Sequence, residues 1–236
     1  MKKIALILSF LICVACNNNH HDKTKNHETE HDHEHQKDAS NKHGSANTHM
    51  HQSSVQDLIE RFESPERDAY QHPQKVLNYL GDIQDQTIMD IGAGSGYFSL
   101  KLAAQGAHVI AADVDDEFLK YIQNRIEKDH LQHIETRKIP YDSPNLKDEE
   151  VDKVLIVNTY HHIENRIDYF AKVKRGTKPN GELVIIDFYK VELPVGPSVD
   201  HKIAMDDVIN ELKKAGYTSL EVNADLLPYQ YIIKAK

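Results

Sequence analysis

Apolar and polar positions follow two different periods along residues 53–236, and these periods predict a chain of helices and strands. Apolar residues three and four positions apart predict amphipathic helices, whereas short continuous apolar runs predict buried strands. The predicted helices are 53–62, a short segment from residue 64, 73–80, 97–105, 117–128, 166–174 and 205–215. The predicted strands are 87–91, 109–112, 133–139, 153–157, 182–188, 219–222 and 230–234.

The order of these elements predicts the fold class. Strands that alternate with helices form βαβ units and a mainly parallel sheet covered by helices on both faces. The last two strands follow each other closely, which indicates an antiparallel pair at the end of the chain. We therefore expect an α/β fold in three layers, with seven strands and an antiparallel C-terminal strand. Ligands of such sheets bind at the carboxyl ends of the strands, where the strand order reverses.

The first 52 residues have a different composition from the rest of the chain. Residues 17 to about 52 contain almost no large apolar side chains, so they cannot contribute to a core. We expect a disordered, histidine-rich tether over residues 16–52 and one folded domain over residues 53–236, of which residues 53–80 form N-terminal helices. Within the tether, His31, His33 and His35 alternate with carboxylates, a pattern that suits a transition metal. A plain hydrophilic linker is the alternative reading.

The N-terminus has the pattern of a secretion signal. A short basic segment precedes an apolar run that is too short to span a bilayer, and polar residues follow Cys16. This pattern resembles a bacterial lipoprotein signal peptide over residues 1–15, although Cys13 occupies the position that is usually Leu. The resemblance implies lipidation of Cys16, which would anchor the protein in the cell envelope on the periplasmic or exterior side. Inefficient export would leave a cytoplasmic fraction.

Charge and cysteine content exclude several kinds of function. The formal net charge is -9, which disfavours nucleic acid as a partner because phosphate binding requires clustered Lys and Arg. The two cysteines, Cys13 and Cys16, both lie in the predicted signal region. The predicted folded domain therefore has no cysteine nucleophile and no cysteine ligand for zinc.

A glycine-rich turn between the first predicted strand and its helix carries the main functional signal. Its sequence is Asp90-Ile91-Gly92-Ala93-Gly94-Ser95-Gly96, whereas a dinucleotide-binding turn needs its third glycine one position later, at Tyr97. This turn resembles the first motif of class I methyltransferases that use S-adenosylmethionine (SAM). The resemblance implies a Rossmann-like methyltransferase fold and SAM contacts from Asp90, Gly92, Ala93, Gly94 and Gly96. The Asp90 carboxylate suits a ligand with a positive sulfonium or ammonium group.

Residues at the ends of the second, third and fourth predicted strands also match motifs of this methyltransferase family. Asp113 ends the second strand about twenty positions after the turn, where the family binds the ribose hydroxyls; a helix N-cap is its alternative role. The resemblance implies that Val114 flanks the adenine, that Asp142 lies near the adenine amine, and that Asn158 lines the methyl-transfer end.

The residues after the fourth strand are candidates for acid-base chemistry. His161, His162 and Tyr160 follow Asn158, and histidine is the natural base near neutral pH. The alternative for each histidine is a structural role, in which it packs in the protein or caps the next helix. Asp187, at the end of the fifth strand, is a candidate for orienting an amine or a hydroxyl. We also expect residues 67–72 to fold over the cofactor.

These patterns predict a SAM-dependent methyltransferase whose partners are a small-molecule acceptor and, through the lipid anchor, a membrane. The lack of cysteine in the predicted folded domain excludes an arsenite methyltransferase, and the missing N-P-P-Y-type motif disfavours amino methylation of nucleobases or glutamine. Two alternatives stay open. One is a non-catalytic lipoprotein that binds a SAM-like ligand or a metal, because SAM is made in the cytoplasm. The other is a nicotinamide dehydrogenase, which the glycine spacing disfavours.

Overall fold

The computed structural model of the protein describes residues 53–236, which form alternating helices and strands. The helices are α1 (Val55–Phe62), α2 (Pro65–Gln71), α3 (Pro73–Leu80), α4 (Tyr97–Ala103), α5 (Asp116–Lys128), α6 (Arg166–Gly176) and α7 (Met205–Lys214). Short 3-10 turns span Tyr160–His162 and Val199–His201. The strands are β1 (Thr87–Ile91), β2 (His108–Asp113), β3 (Ile134–Lys138), β4 (Val151–Val157), β5 (Thr177–Phe188), β6 (Leu220–Asn223) and β7 (Gln230–Ala235).

The strands form one seven-stranded sheet in the order β3-β2-β1-β4-β5-β7-β6. Strands β1 to β5 pair in parallel, whereas β7 runs antiparallel to both β5 and β6. The predicted α/β fold class, a mainly parallel seven-stranded sheet with an antiparallel C-terminal strand, is confirmed. The chain moves outward from β1 to β3 and then returns to β4 on the other side of β1. The strand order thus reverses between β1 and β4, where such sheets bind ligands.

Helices cover both faces of the sheet because successive strand residues point to opposite sides. Met89 of β1 packs in a core cluster with Phe170 of α6. Its neighbour Ile88 packs in a second cluster with Leu102 of α4 on the other face. All four side chains are fully buried. This double burial explains why the central strands are continuous apolar runs.

The start of β5 differs from the sequence prediction. The strand predicted from Glu182 begins earlier, at Thr177, and contains a bulge, because β4 pairs Val151 with Thr177 and then Lys153 with Glu182. The extra residues 178–181 protrude from the ladder. Gly181 is required there, since a Cβ at this position would lie 2.4 Å from the carbonyl oxygen of Asp152.

Helices α1 and α2 begin at serine caps and lie against the start of the domain core. The Ser54 and Ser64 hydroxyls accept hydrogen bonds from the backbone N–H groups of Asp57 and Arg67, at 3.1 and 3.4 Å. Phe62 of α1 stacks on Phe118 of α5, with ring centroids 5.9 Å apart. Within residues 53–236, no helix combines the length and apolar character needed to cross a bilayer.

The N-terminal predictions fall on the part of the chain that is not described. The signal peptide, the lipidation site Cys16, the tether, and the metal candidates His31, His33 and His35 all lie outside residues 53–236. They stay predictions. Within residues 53–236, no group of three or more His, Cys, Asp or Glu side chains is arranged to hold a metal ion.

Candidate active site

A cavity of about 860 Å³ opens at the carboxyl ends of the central strands. It is lined by residues that end or follow four different strands, namely Gly92, Asp113, Asn158 and Phe188. Helices α1 and α2 and the loop around Pro197 complete its walls. The volume falls in the range of roughly 300–1,000 Å³ that is typical of small-molecule sites.

The glycine-rich turn presents bare backbone to this cavity. The N–H groups of Gly92 and Ala93 both donate to the carbonyl oxygen of Ala112, at 2.9 and 3.0 Å, and this folds the turn against β2. Gly92 has a φ of +75°, and a Cβ there would lie 2.3 Å from Oγ1 of Thr159. Only glycine fits at this point. Gly92, Ala93 and Gly94 all line the cavity, as expected for cofactor contacts.

Asp113 lines the cavity beside the turn and also supports it. Its Oδ2 accepts a hydrogen bond from the Gly94 N–H at 2.8 Å, and its Oδ1 accepts one from the Asp115 N–H at 3.0 Å. Burial raises the pKa of Asp113, and the backbone bonds partly oppose this shift. The N-cap of α5 is Asp115 rather than Asp113, so the alternative role considered for Asp113 falls to its neighbour. Each Asp113 oxygen retains a lone pair for a ligand hydroxyl.

Two residues of the predicted motif shape the turn from beneath and do not line the cavity. Asp90 is buried and accepts a hydrogen bond from the Ser99 hydroxyl at 2.6 Å. Burial raises the pKa of Asp90 to about 6, an effect that the Ser99 bond partly opposes. Gly96 precedes α4, where a Cβ would lie 2.7 Å from Leu100. Asp90 and Gly96 face the helix side of the turn and are not among the cavity-lining residues, so their contact with SAM stays a prediction.

Asp142 is also displaced from its expected place. Its side chain is exposed, and its backbone carbonyl accepts a hydrogen bond from the Lys172 ammonium at 2.8 Å. Pro140 and Tyr141 line the cavity at this level, together with Val114 from the loop after β2. An apolar and aromatic wall thus occupies the position where the sequence predicts a carboxylate.

Asn158 lines the cavity and belongs to a closed ring of three side-chain amides. Asn158 donates to Gln71 at 3.2 Å, Gln71 donates to Gln230 at 2.8 Å, and Gln230 donates back to Asn158. Gln71 and Gln230 are fully buried. The ring ties the end of α2 to the ends of β4 and β7. Sequence reasoning missed it, because nothing in the pattern of the chain pairs residues so far apart.

His161 and Asp187 form a buried pair at the ends of the neighbouring strands β4 and β5. The Nδ1 atom of His161 lies 3.0 and 2.9 Å from the two carboxylate oxygens of Asp187. The side chains are 4% and 1% exposed, respectively. Asp187 also accepts hydrogen bonds from the backbone N–H groups of His161 and Phe188, at 3.3 and 2.8 Å. Asp187 therefore orients an imidazole of the protein, and His161 lines the cavity.

The two other candidates of the His-His-Tyr run lie in different environments. His162 lines the cavity and stacks beside His161, with ring centroids 4.3 Å apart. Burial lowers the pKa of His162 to about 3, and the neighbouring His161 adds to this shift. Tyr160 is not among the cavity-lining residues: its ring packs on Phe170 and its hydroxyl donates to Glu211. Its predicted catalytic role is replaced by a structural one, because the buried hydroxyl bonds a carboxylate of α7.

Arg67 is a cavity-lining cation to which sequence reasoning gave no role. Its guanidinium lies 4.0 Å from the centre of the Tyr97 ring, and Nη1 donates to the Phe62 carbonyl oxygen at 3.2 Å. The Nε atom is buried and has no hydrogen-bond partner within residues 53–236. Burial lowers the pKa of Arg67. Arg67 lies in the segment expected to fold over the cofactor, and a buried cation with a free donor suits an anionic ligand group.

The chain is similar in sequence to known proteins. A family described as "Methyltransferase domain" matches residues 89–185. A tRNA U34 carboxymethyltransferase of Pseudoalteromonas translucida is 31% identical over 117 residues, which are 47% of this chain and 34% of that protein. A demethylmenaquinone methyltransferase of Tropheryma whipplei is 26% identical over 156 residues, which are 66% of this chain and 61% of that protein. The chain thus covers less than two thirds of the length of these curated relatives.

Solved structures show the same fold over most of the described residues. A SAM-dependent methyltransferase from Aquifex aeolicus has a TM-score of 0.72 and 26% identity, and the match covers 78% of this chain and 98% of that one. A protein of Sulfolobus solfataricus that has been assigned as a type 11 methyltransferase has a TM-score of 0.59 and 21% identity. The match with it covers 70% of this chain and 90% of that one.

Proposed function

Since this chain carries a class I SAM-dependent methyltransferase domain, we propose that the protein transfers a methyl group from SAM to a small-molecule acceptor in the same cavity. Bound SAM supplies a methyl group on a positively charged sulfur. The protein's own contribution is to bind both partners, to orient them and to exclude water, and a base is needed only when the acceptor must lose a proton.

One observation carries this proposal: a glycine-rich turn with small side chains lies beside a carboxylate at the strand-order reversal. The bare backbone at Gly92 and Gly94 leaves room for a ligand to approach closely. Asp113 offers its remaining lone pairs to the two hydroxyls of a ribose. The apolar wall of Val114 and Tyr141 suits a flat base such as adenine.

Arg67 completes the set of groups that SAM requires. The amino-acid end of SAM carries a carboxylate, and Arg67 is a cavity-lining guanidinium with an unused donor. A guanidinium binds a carboxylate through charge-assisted hydrogen bonds. Bare backbone, ribose acceptor, apolar wall and cation therefore match the chemistry of the whole ligand, and we assign Arg67 to its carboxylate.

The test is calorimetry of SAM and its demethylated product, S-adenosylhomocysteine, on the full chain. We expect binding of both ligands, and at least tenfold weaker binding to an Asp113→Asn variant, which keeps one acceptor oxygen for the turn. A matched control is Asp142→Asn, because Asp142 is exposed and does not line the cavity. Failure of both ligands to bind, with retention of NAD, would replace this proposal by a dehydrogenase.

We further propose that the protein is a lipoprotein of the cell envelope, anchored through Cys16 and separated from the membrane by residues 17–52. The support is the sequence pattern around Cys16. The test is fractionation of cells that produce the full chain after labelling with a radioactive fatty acid. We expect label in the membrane-bound protein and loss of both label and membrane association in Cys16→Ala. An unlabelled protein in the soluble fraction would contradict the anchor.

A further inference from the structure

We propose that the methyl acceptor is an uncharged planar hydroxyl compound, a phenol or an enol, and that His161 removes the proton from its hydroxyl group. This inference rests on the methyl transfer proposed above and names the substrate class of the same site. It is carried by the His161–Asp187 pair, by the distribution of charge around the cavity and by the aromatic walls.

The first step concerns the tautomer of His161. Asp187 contacts Nδ1 of His161 with both carboxylate oxygens, at 3.0 and 2.9 Å. A carboxylate accepts hydrogen bonds and donates none when ionised, so the proton of neutral His161 resides on Nδ1. The other ring nitrogen, Nε2, then carries a lone pair, as a general base requires. Asp187 is a positioning residue in this arrangement, because it acts through His161.

The second step is the location of this base within the cavity. The glycine turn and Asp113 follow β1 and β2, whereas His161 follows β4 and Asp187 ends β5. The cavity thus has two halves, one above β1 and β2 and one above β4 and β5, which meet where β1 and β4 lie side by side. A cofactor held by the turn and Asp113 therefore leaves the half above β4 and β5 for the acceptor, with His161 in its wall.

The third step is the charge around that half. The carboxylates that line the cavity are Asp113, Asp115 and Glu117, which all belong to the end of β2 and the start of α5. No carboxylate from elsewhere within residues 53–236 is among the lining residues. The acceptor half instead contains His161, His162 and His201. A protonated amine would find no counter-charge there, whereas an anion formed by proton loss would lie beside imidazoles.

The fourth step is the shape of the acceptor half. Tyr70 of α2 and Phe188 of β5 both line the cavity, with ring centroids 6.1 Å apart. Aromatic side chains contribute apolar area and favour stacked or edge-on contacts with other rings. Walls of this kind suit a flat, conjugated molecule better than a flexible, strongly hydrated one.

The proton transfer balances with the groups named. The acceptor O–H bond breaks, a bond forms between that proton and Nε2 of His161, and the bond pair remains on the acceptor oxygen. The resulting imidazolium faces the Asp187 carboxylate, so opposite charges are paired. The electron pair on the acceptor oxygen then forms the bond to the methyl carbon. The electron pair of the broken carbon–sulfur bond stays on sulfur, which leaves as a thioether.

The experiment uses 4-nitrophenol, whose phenolate absorbs visible light, with the full chain saturated with S-adenosylhomocysteine. Absorbance is recorded from pH 5 to 9, so that the apparent pKa of the bound probe is measured without turnover. We expect a pKa about one unit below that of the free probe, a tenfold change in its ionisation constant. The groups facing the base are Asp187 of β5, His162 beside it and His201 of the second 3-10 turn.

Variants separate the base from the fold. His161→Asn retains an N–H donor for Asp187 and removes Nε2, so we expect the probe to bind with no pKa shift. Asp187→Asn should reduce the shift, because His161 loses its fixed tautomer. His133→Gln is the matched control, since His133 is an exposed histidine just before β3 and does not line the cavity; its shift should equal that of the native chain.

Each outcome decides the proposal. A probe that fails to bind, an unchanged shift in His161→Asn, or displacement of the probe by benzylamine at equal or lower concentration would overturn the phenol or enol assignment. Calorimetry of S-adenosylhomocysteine on the same samples is independent of these results. Its failure would refute the proposed methyl transfer itself, whereas its success with no probe shift would refute the acceptor class alone.

Discussion

Gln71 at the end of α2 donates a hydrogen bond of 2.8 Å to Gln230 at the start of β7, although the two residues are 159 positions apart. Asn158 closes the ring by bonding both glutamines. All three amides act as donor and as acceptor, so each member depends on the other two. The ring fixes α2, and with it Arg67 and Tyr70, over the carboxyl end of β4.

Removal of one amide from this ring should destabilise the domain. Gln71→Leu preserves the approximate volume but leaves the buried Gln230 with an unmatched amide oxygen, and such a group costs about 1–3 kcal/mol. Urea denaturation of the variant should show a loss of that order in the free energy of unfolding. Gln74→Leu is the control, because Gln74 bonds only an exposed neighbour. Equal stability of the two variants would show that the ring contributes nothing.

Substitution of Gly92 tests whether the turn tolerates a side chain at this position. Gly92 and Gly81 have similar φ angles of +75° and +79°, but a Cβ at Gly92 would lie 2.3 Å from Thr159 while a Cβ at Gly81 would meet nothing within 4 Å. Gly92→Ala should therefore abolish binding of S-adenosylhomocysteine, as measured by calorimetry. Gly81→Ala also places a side chain at a positive φ but meets no neighbouring atom within 4 Å, so it should bind normally. Comparable binding by both variants would contradict the steric role of Gly92.

Asp90 should give the domain a characteristic dependence of stability on pH. Its pKa is raised from 3.8 to about 6 by burial, so the folded state binds a proton that the unfolded state releases between these values. The contribution of Asp90 is intact below pH 4 and is lost as pH rises to about 6. The lost stability is on the order of 3 kcal/mol, from about 1.36 kcal/mol per pKa unit.

The matched variant for this pH test is Asp90→Asn, which keeps an acceptor for the Ser99 hydroxyl. The free energy of unfolding of the native chain, relative to the variant, should fall between pH 4 and pH 6 and then remain constant. A difference that is independent of pH, or that rises over this interval, would refute the raised pKa.

Replacement of Arg67 should weaken the binding only of ligands that carry a carboxylate. Arg67→Met removes the cation but retains much of the packing against Tyr97, so S-adenosylhomocysteine should bind about 10- to 100-fold more weakly, as expected for a lost charged hydrogen bond of about 1.5–3 kcal/mol. 5′-Methylthioadenosine has no carboxylate and should bind to the variant and the native chain alike. Equal losses for both ligands, measured by calorimetry, would indicate general damage to the cavity instead.

The sequence was sufficient for the fold because the signals involved are local. Continuous apolar runs such as that of β4 require burial on both faces, and the glycine spacing after β1 requires a sharp turn into a helix. The alternation of strands and helices then leaves few possible connections. The seven-stranded sheet and its antiparallel last strand follow from these constraints, and both are present.

The site was less accessible because it depends on the direction in which a side chain points. Asp90 and Asp113 both lie at strand ends, yet Asp90 turns to Ser99 under the helix while Asp113 lines the cavity. Tyr160 and His161 are adjacent in sequence, yet their partners are Glu211 and Asp187 on different elements. These directions are set by packing between distant segments, which periodicity does not encode.

The two backbone bonds to Asp113 have a thermodynamic consequence for ligand capture. The Gly94 and Asp115 N–H groups already bond both carboxylate oxygens, so these hydrogen bonds constrain the turn before a nucleoside binds. Binding then costs little conformational entropy, so most of the free energy of the ligand contacts contributes to the affinity. A site organised in this way binds its ligand tightly even when the ligand concentration is low.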